Sequence, residues 1–176
     1  MTFWMMRGAV MAGAVLMAGA AAAQEESSNR VAADTDWSVF VEENPQECWA
    51  VSAPKQEEFF RNGQPVTAST GDALLFVFYR PGQGVTGQVS YTGGYPFGGG
   101  STVTLAIGDD EFELFTEGQW AWPATPEDDA RIVAAMKRGV NAVMTGVSGR
   151  GTTVRHTVSL LGFTAGVEEA ESRCAG

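Results

Sequence analysis

The sequence predicts a mostly β protein: an antiparallel β-sandwich with one α-helix near residues 126–138. Three observations predict this class. About eight short segments are alternately polar and apolar or continuously apolar, which is typical of strands. Turns rich in Gly, Pro, Asn and Asp separate these segments, and the chain has 22 Gly. One stretch carries a full set of helix boundary signals. The length of 176 residues fits a single domain, expected over residues 36–176.

The N-terminus has the pattern of an export signal. A positively charged start is followed by an apolar or small segment, Gly8 to Ala20, and then by three alanines that suit signal peptidase. We therefore expect residues 1–23 to be a signal peptide. About 16 apolar or small residues are fewer than the roughly 20 that span a bilayer, which disfavours a retained membrane anchor. Residues 24–35 are polar or small and are expected to form a flexible leader.

The strand segments follow one another through the rest of the chain. Ala73 to Tyr79 is a continuous β-branched and aromatic run, which predicts a central buried strand. Gly108-Asp109 separates two alternating segments, so a hairpin is expected there. The predicted strand segments are 37–41, 48–52, 73–79, 85–91, 102–107, 111–115, 140–148 and 152–160.

The predicted helix has consistent signals at both ends. Thr125 can cap it and Pro126 suits its first position, while Lys137 and Arg138 precede Gly139 at its end. An apolar stripe at helical spacing would pack against the sheet. Its members are Ile132, Val133, Met136 and Val140.

The two cysteines, Cys48 and Cys174, lie near the two ends of the predicted domain. An exported protein folds in an oxidising compartment, where cysteines tend to pair. We expect a disulfide between them, which would constrain the unfolded chain over a long loop. Two separate free thiols are the alternative.

Charge and composition disfavour several functions. With 11 Lys and Arg against 21 Asp and Glu, the net charge of −10 argues against nucleic acid and anionic membranes as partners. One His and two Cys are too few for a typical Cys/His zinc site. We expect no metal, no cofactor and, once the signal peptide is removed, no transmembrane segment.

Three matches to catalytic or cofactor motifs lack the context that the chemistry needs. Gly82 to Gly87 fits G-x-G-x-x-G but leads into a strand, whereas dinucleotide binding requires a helix there. Ser52 to Lys55 fits S-x-x-K, yet its internal proline disfavours the necessary helix. Gly146 to Arg150 has an arginine where a nucleophile elbow has its second glycine. We therefore predict no catalytic residue.

The remaining titratable candidates favour structural roles. His156 shares strand parity with Val154 and Val158, so we expect a half-buried, hydrogen-bonded histidine on the core face rather than a catalytic base. In the acidic run that starts at Asp109, the alternation of Glu111 and Glu113 with apolar residues favours a solvated strand face over a calcium site. Paired carboxylates for glycoside cleavage stay open, because their separation is not visible in a sequence.

A series of segments carries a family resemblance over residues 37–174. The segments are Trp37 with Cys48 to Ser52 (CWAVS), Gly94 to Ser101 (GYPFGGGS), Phe112 to Phe115 (FELF), Val133 to Met136 (VAAM), Gly146 to Thr152 (GVSGRGT) and Ser159 to Ala165 (SLLGFTA), ending at Cys174. Together they resemble the invasion associated locus B family. The resemblance implies an exported bacterial protein with an immunoglobulin-like sandwich and no known enzyme activity or cofactor. At His156 this chain departs from the family pattern, in which an Asp is expected.

Four aromatic residues are candidates for a binding surface. Tyr95 and Phe97 lie in a glycine-rich tip, and Trp120 and Trp122 lie on one face of a short strand. Their rings either pack into the core or form a contact patch. The preferred hypothesis is a non-enzymatic, periplasmic binding or interaction module whose partner is a protein or glycan of the cell envelope or host surface. Outer-membrane association and secretion are alternative locations. A carrier of a small apolar ligand between the sheets, and a hydrolase that uses carboxylates, are the alternative functions.

Overall fold

The computed structural model describes residues 29–175. The predicted signal peptide, residues 1–23, and the first five residues of the predicted leader lie outside the described residues.

Twelve strands form one antiparallel sheet in the described part of the chain. They are β1 (Arg30–Asp34), β2 (Trp37–Glu43), β3 (Gln46–Ser52), β4 (Gln56–Arg61), β5 (Gln64–Pro65), β6 (Leu74–Arg80), β7 (Val85–Thr92), β8 (Thr102–Ile107), β9 (Asp110–Glu117), β10 (Trp120–Trp122), β11 (Asn141–Val147) and β12 (Thr153–Ser159). Their order across the sheet is β1-β2-β3-β6-β7-β10-β9-β8-β11-β12-β4-β5. The predicted mostly β class and the hairpin, which is β8–β9, are confirmed.

The sheet folds back on itself, since a twisted sheet of more than about ten strands must curl or split. Four strands separate β7 from β12 in the sheet order, yet Tyr91 Oη of β7 lies 2.6 Å from His156 Nδ1 of β12. The Trp37 indole at the start of β2 donates to the Ser159 carbonyl at the end of β12. This arrangement is compatible with the predicted sandwich, although all strands belong to a single sheet. The immunoglobulin-like topology stays a prediction.

The period-two alternation of side chains produces one buried inner face. On β6, for example, Leu75 and Val77 are fully buried while Phe76 and Phe78 are half-buried on the outer face. The predicted central strand is therefore buried on one face rather than on both. The largest fully buried side chains are Trp37, Tyr91, Phe163, Leu75, Leu105, Leu114, Ile132, Met136, Met144, His156, Val39 and Val77.

The predicted helix is confirmed as α1 (Pro126–Arg138). The Thr125 side chain accepts a hydrogen bond from the Asp128 amide, as a capping residue does. The helix packs on β7, where the buried Asp129 Oδ1 accepts a 2.8 Å hydrogen bond from the Val89 amide. Because β10 has only three residues, it does not extend along β7 as far as Val89, and the carboxylate satisfies that amide instead.

A second helix, α2 (Phe163–Cys174), was not predicted. It packs on β2 and β3 through residues at helical spacing, and Gly166 lies directly over Trp37. Gly162 precedes α2 with a positive φ of 89°, and a side chain there would collide with the Asp34 carbonyl. The buried residues of α2 are Phe163, Gly166, Val167, Ala170 and Cys174.

The predicted disulfide between Cys48 and Cys174 is confirmed. It joins β3 to the last residue of α2 across a sequence separation of 126 residues. The end of the chain is thereby tied to one of the first strands.

The leader is shorter than the sequence predicts. Residues 30–34 were expected to belong to it, but they form β1 and pair with β2. An edge strand needs only backbone hydrogen bonds and one partly buried contact, here Ala32, so a polar segment without an apolar period can form one.

Candidate functional site

Tyr95 and Phe97, two of the four predicted surface residues, face inward. Their side chains are 9% and 8% exposed, and their rings meet edge to face at 4.9 Å. The loop that carries them folds back over the sheet because the Phe97 amide donates to the Gly118 carbonyl and the Gly98 amide to the Val147 carbonyl. An exposed patch built from these two rings is therefore not what the structure contains.

Trp120 and Trp122, the other two, do lie at the surface. They flank the fully buried Ala121 on β10, so both side chains project from the outer face of the sheet. Trp120 is 38% exposed and Trp122 is half-buried. The two indoles are nearly parallel, with ring centroids 6.4 Å apart.

These tryptophans end a continuous row of rings, which we call the outer aromatic surface. Its members are Phe40, Trp49, Phe78, Phe76, Trp120 and Trp122. Neighbouring centroids along the row are 5.5, 6.1, 5.1, 5.8 and 6.4 Å apart. The helices contact the sheet through inner-face residues such as Val39 and Ala50, so no described element covers this row.

Polar groups lie beside and beneath the outer aromatic surface. Arg80 lies 4.3 Å over the Phe78 ring and forms an ion pair with Glu47 at 2.9 Å. On β7, Ser90 and Thr92 point to the outer face of the sheet. They are nevertheless buried, because the aromatic rings of the neighbouring strands β6 and β10 cover them. A hydrophobic centre with a charged rim is the typical anatomy of a protein interface.

Only Trp120 and Trp122, at one end of this surface, were predicted from the sequence as binding-surface residues. Strand parity alone predicts that Phe76 and Phe78 lie on the face of the strand that is opposite to the face with Leu75 and Val77. The order of strands, which brings β2, β3, β6 and β10 near one another, was not available from the residues.

His156 lies on the core face, as predicted, and is fully buried. Burial lowers the pKa of the imidazole, so the neutral form dominates near neutral pH. The Glu57 carboxylate lies 3.6 Å from Nε2, which favours the tautomer with a proton on that nitrogen. Tyr91, whose pKa is raised by burial, then donates its hydroxyl proton to Nδ1. This pair connects the two halves of the folded sheet.

The motif-like segments have structural roles. The hydroxyl of Ser52 donates to the Asp36 carbonyl, and Lys55 pairs with the Asp36 carboxylate at 2.7 Å. Glu111 and Glu113 are exposed on β9, on the solvated face that was predicted. Within residues 29–175, no group of three or more His, Cys, Asp or Glu side chains is placed to hold a metal ion.

Comparison with protein families gives one match. Residues 96–171 match the family model described as Invasion associated locus B (IalB) protein. Over these residues the chain is similar to the invasion associated locus B family. The match confirms the predicted resemblance for this part of the chain, which includes Trp120, Trp122 and His156. Comparison with curated proteins and with solved structures gives no match.

The matched IalB family is bacterial and envelope-associated, and it is not a known enzyme family. Neither helix among the described residues has the length and apolarity to cross a membrane. The N-terminal rings of the outer aromatic surface, from β2, β3 and β6, lie outside the matched residues.

Proposed function

We propose that this IalB-family chain is an exported, non-enzymatic envelope protein that binds a protein partner through its outer aromatic surface. The observation that carries the proposal is the row of six contacting rings on a sheet face that no described element covers. Soluble monomers rarely leave a large contiguous apolar patch in water, and such patches mark interaction sites.

The dimensions of the row suit a protein partner. It crosses β2, β3, β6, β7 and β10, and Phe115 on β9, 53% exposed, extends the apolar face by one more strand. Five strand spacings of about 4.8 Å give a width of about 24 Å. A standard interface covers about 800 Å² on each partner, which is a patch of similar width.

Ring geometry favours a protein over a glycan. A sugar stacks on an open ring face, but here Phe40 with Trp49 and Phe76 with Phe78 stack on each other within 13° of parallel. Stacking covers one face of each ring. Aromatic side chains are also the residues most enriched at the centres of protein interfaces.

The alternative of an apolar carrier receives less support. Leucine, methionine and aromatic side chains fill the interior, and five cavities among the described residues all open at the surface. No observation favours a hydrolase, since the most perturbed carboxyl group, that of Asp129, already accepts a hydrogen bond from a strand amide.

Photo-crosslinking in the envelope of the producing bacterium tests this proposal. Trp122 is replaced by a photoreactive phenylalanine analogue, and as a matched control Thr104, on the polar half of the same sheet face, is replaced by the same analogue. A discrete crosslinked protein that forms from position 122 and not from position 104 is the expected result.

Variants of the purified chain then test whether binding of the crosslinked protein depends on the aromatic rings. The pair Trp120→Ser and Trp122→Ser should weaken binding of the captured protein by at least about tenfold, because buried aromatic side chains dominate interface energies. Leu161→Ser removes an apolar side chain elsewhere that is more exposed than either tryptophan, and it should leave binding unchanged. Equal crosslinking from both positions, or capture of a glycan that depends on the two tryptophans, would contradict a protein partner.

A further inference from the structure

Among the cationic side chains of this acidic protein, some form ion pairs with carboxylates and others do not. Seven of them in the described residues lie within 4 Å of a carboxylate. These are Lys55, Arg80, Arg131, Lys137, Arg138, Arg155 and Arg173. Arg61 and Arg150 have no carboxylate at ion-pair distance among residues 29–175. Both line the same cavity.

This cavity has a volume of about 360 Å³ and lies away from the outer aromatic surface. Its wall combines the end of β4, the segment after β5, the start of the GYPFGGG loop and the turn between β11 and β12. A volume of this size is within the range of small-molecule sites. No Asp or Glu belongs to the described lining, although the chain carries 21 acidic residues.

Backbone hydrogen bonds hold the loops of the cavity together. The Gly149 amide donates to the Pro96 carbonyl at 3.0 Å, and the Gly71 amide donates to the Gly94 carbonyl at 2.9 Å. The turn that carries Arg150 is closed by a hydrogen bond from the Gly151 amide to the Ser148 carbonyl. A cavity that is already formed loses little conformational entropy when it binds a ligand.

The chemistry of the wall is that of an oxyanion site with an apolar side. One guanidinium N–H group of Arg61 donates to Thr152 Oγ1 at 2.7 Å, which orients the side chain and leaves its other donors available. Guanidinium groups bind carboxylate and phosphate oxygens in a planar, two-pronged geometry. Phe59 and the ring of Tyr95 supply apolar contact area beside the two arginines.

From this arrangement we infer that the cavity binds a small organic anion that carries a carboxylate or phosphate group. The oxyanion contacts Arg61 and Arg150, and the apolar part of the ligand lies against Phe59 and Tyr95. The site is separate from the outer aromatic surface, so its ligand and the protein partner can be tested independently.

Two-dimensional NMR titrations of the full chain with four probes separate the contribution of the anionic group to the affinity from that of the apolar ring. They are benzoate, phenyl phosphate, inorganic phosphate and benzamide. Benzoate, phenyl phosphate or both should shift the amide signals of Gly149 and Gly151 with affinities of about millimolar, typical of fragments. Benzamide, which has the ring without the charge, should not. Shifts from inorganic phosphate as large as those from the ring-bearing anions would overturn the apolar half of the inference.

Charge-removing variants test the two arginines. Arg61→Gln with Arg150→Gln should weaken binding of the better ring-bearing anion by about tenfold or more, because two charge-assisted hydrogen-bond donors are lost. Arg155→Gln is the matched control: it removes the same charge from the opposite face of β12 and should change the affinity less than about twofold.

A second variant tests the site without removing the arginines, in case the double arginine variant does not fold. Ser69→Asp places a competing carboxylate at an exposed position of the cavity wall and should abolish anion binding while the remaining spectrum is unchanged. Absence of any shift with benzoate and phenyl phosphate in the unmodified chain, or equal binding by all variants, would overturn the inference.

Discussion

At the scale of single residues, His156 explains how a polar group is accommodated in a closed apolar interior. The imidazole has no exposed surface, and its Nδ1 accepts a hydrogen bond from Tyr91 across the folded sheet. Glu57 lies close enough to attract a charge on the ring, but desolvation is the larger effect and lowers the pKa.

The titration of His156 predicts a specific pH dependence of stability. A pKa that is lower in the folded than in the unfolded protein contributes stability above the unfolded value of about 6.5, and this contribution is lost as the pH falls through the folded value. His156→Phe removes that titration. It should cost about 1 to 3 kcal/mol at pH 8, where the Tyr91 hydroxyl loses its partner, and less at pH 5.

Urea unfolding at several pH values measures this difference. Tyr91→Phe is the matched control because it removes the same hydrogen bond and keeps the histidine, so its acid sensitivity should resemble that of the unmodified chain. A His156→Phe penalty that is constant from pH 5 to 8 would show that the histidine is not buried in its neutral form.

The side-chain directions of His156, Tyr95 and Phe97 differ in how far the sequence predicts them. The parity of His156 with Val154 and Val158 was enough to predict the core face, but the residue is fully buried where the sequence predicts half-burial. The direction of Tyr95 and Phe97 was not predictable, because the surrounding glycines allow many backbone conformations. Hydrogen bonds to Gly118 and Val147, both distant in sequence, determine it.

At the scale of elements, α1 is joined to the sheet by a carboxylate. Asp129 is 9% exposed, and burial raises its pKa to about 6 although the Val89 amide donates to it. A raised acid pKa means that the folded protein is relatively more stable at low pH and loses this stability as the pH rises through about 6. The carboxylate therefore satisfies an amide and at the same time carries a desolvation cost.

Asp129→Asn should separate these two effects. The amide oxygen can still accept from Val89, but no charge is buried, so the variant should be about 2 kcal/mol more stable than the unmodified chain at pH 7.5. Below about pH 4 the difference should disappear, since Asp129 is then protonated. Glu127→Gln, an exposed change in the same helical turn, should give no such gain. Thermal unfolding across this pH range measures both variants.

The contrast between the two helices shows which element signals were readable. For α1 the cap, the first-turn proline and the charges at both ends agreed, and the predicted bounds match the structure. For α2 the preceding residue is Gly162, which has no capping side chain, and the first turn has no acidic residue. Its buried stripe includes Gly166 and Cys174, which a hydrophobic pattern does not reveal. Packing against β2 and β3 stabilises it instead.

At the scale of the whole molecule, the outer aromatic surface depends on strand order. Each ring follows from the alternation in its own strand, but the rings meet only because β3 pairs with β2 and β6 and because β10 pairs with β7. The β2–β3 pairing is a local hairpin, but the pairings of β3 with β6 and of β7 with β10 join distant segments and are not encoded in any local pattern. The same reasoning applies to the arginine-lined cavity, in which Arg61 and Arg150 come from distant segments.

The disulfide contributes to the stability of the whole molecule because it joins a strand near the start of the described residues to the last helix. α2 also receives the Lys137–Glu168 ion pair from α1 and a hydrogen bond from Gln46 to the Arg173 carbonyl, but these contacts are largely exposed and weak. Cys48→Ala with Cys174→Ala should therefore lower the free energy of unfolding by up to about 5 kcal/mol, the value that loop entropy gives for releasing a loop of 126 residues.

Guanidinium unfolding measures the total decrease in the free energy of unfolding. Hydrogen exchange shows which elements lose protection. Amides of α2 should exchange faster at once in the double variant, because the helix loses its only covalent tie to β3, whereas amides of the β8–β9 hairpin should change only as far as global stability falls. The unmodified chain after reduction of the disulfide should behave like the double variant, which separates the effect of the tie from that of the alanine substitutions. If α2 kept its protection in both, contacts with β2 and β3 rather than the covalent tie would hold the helix in place.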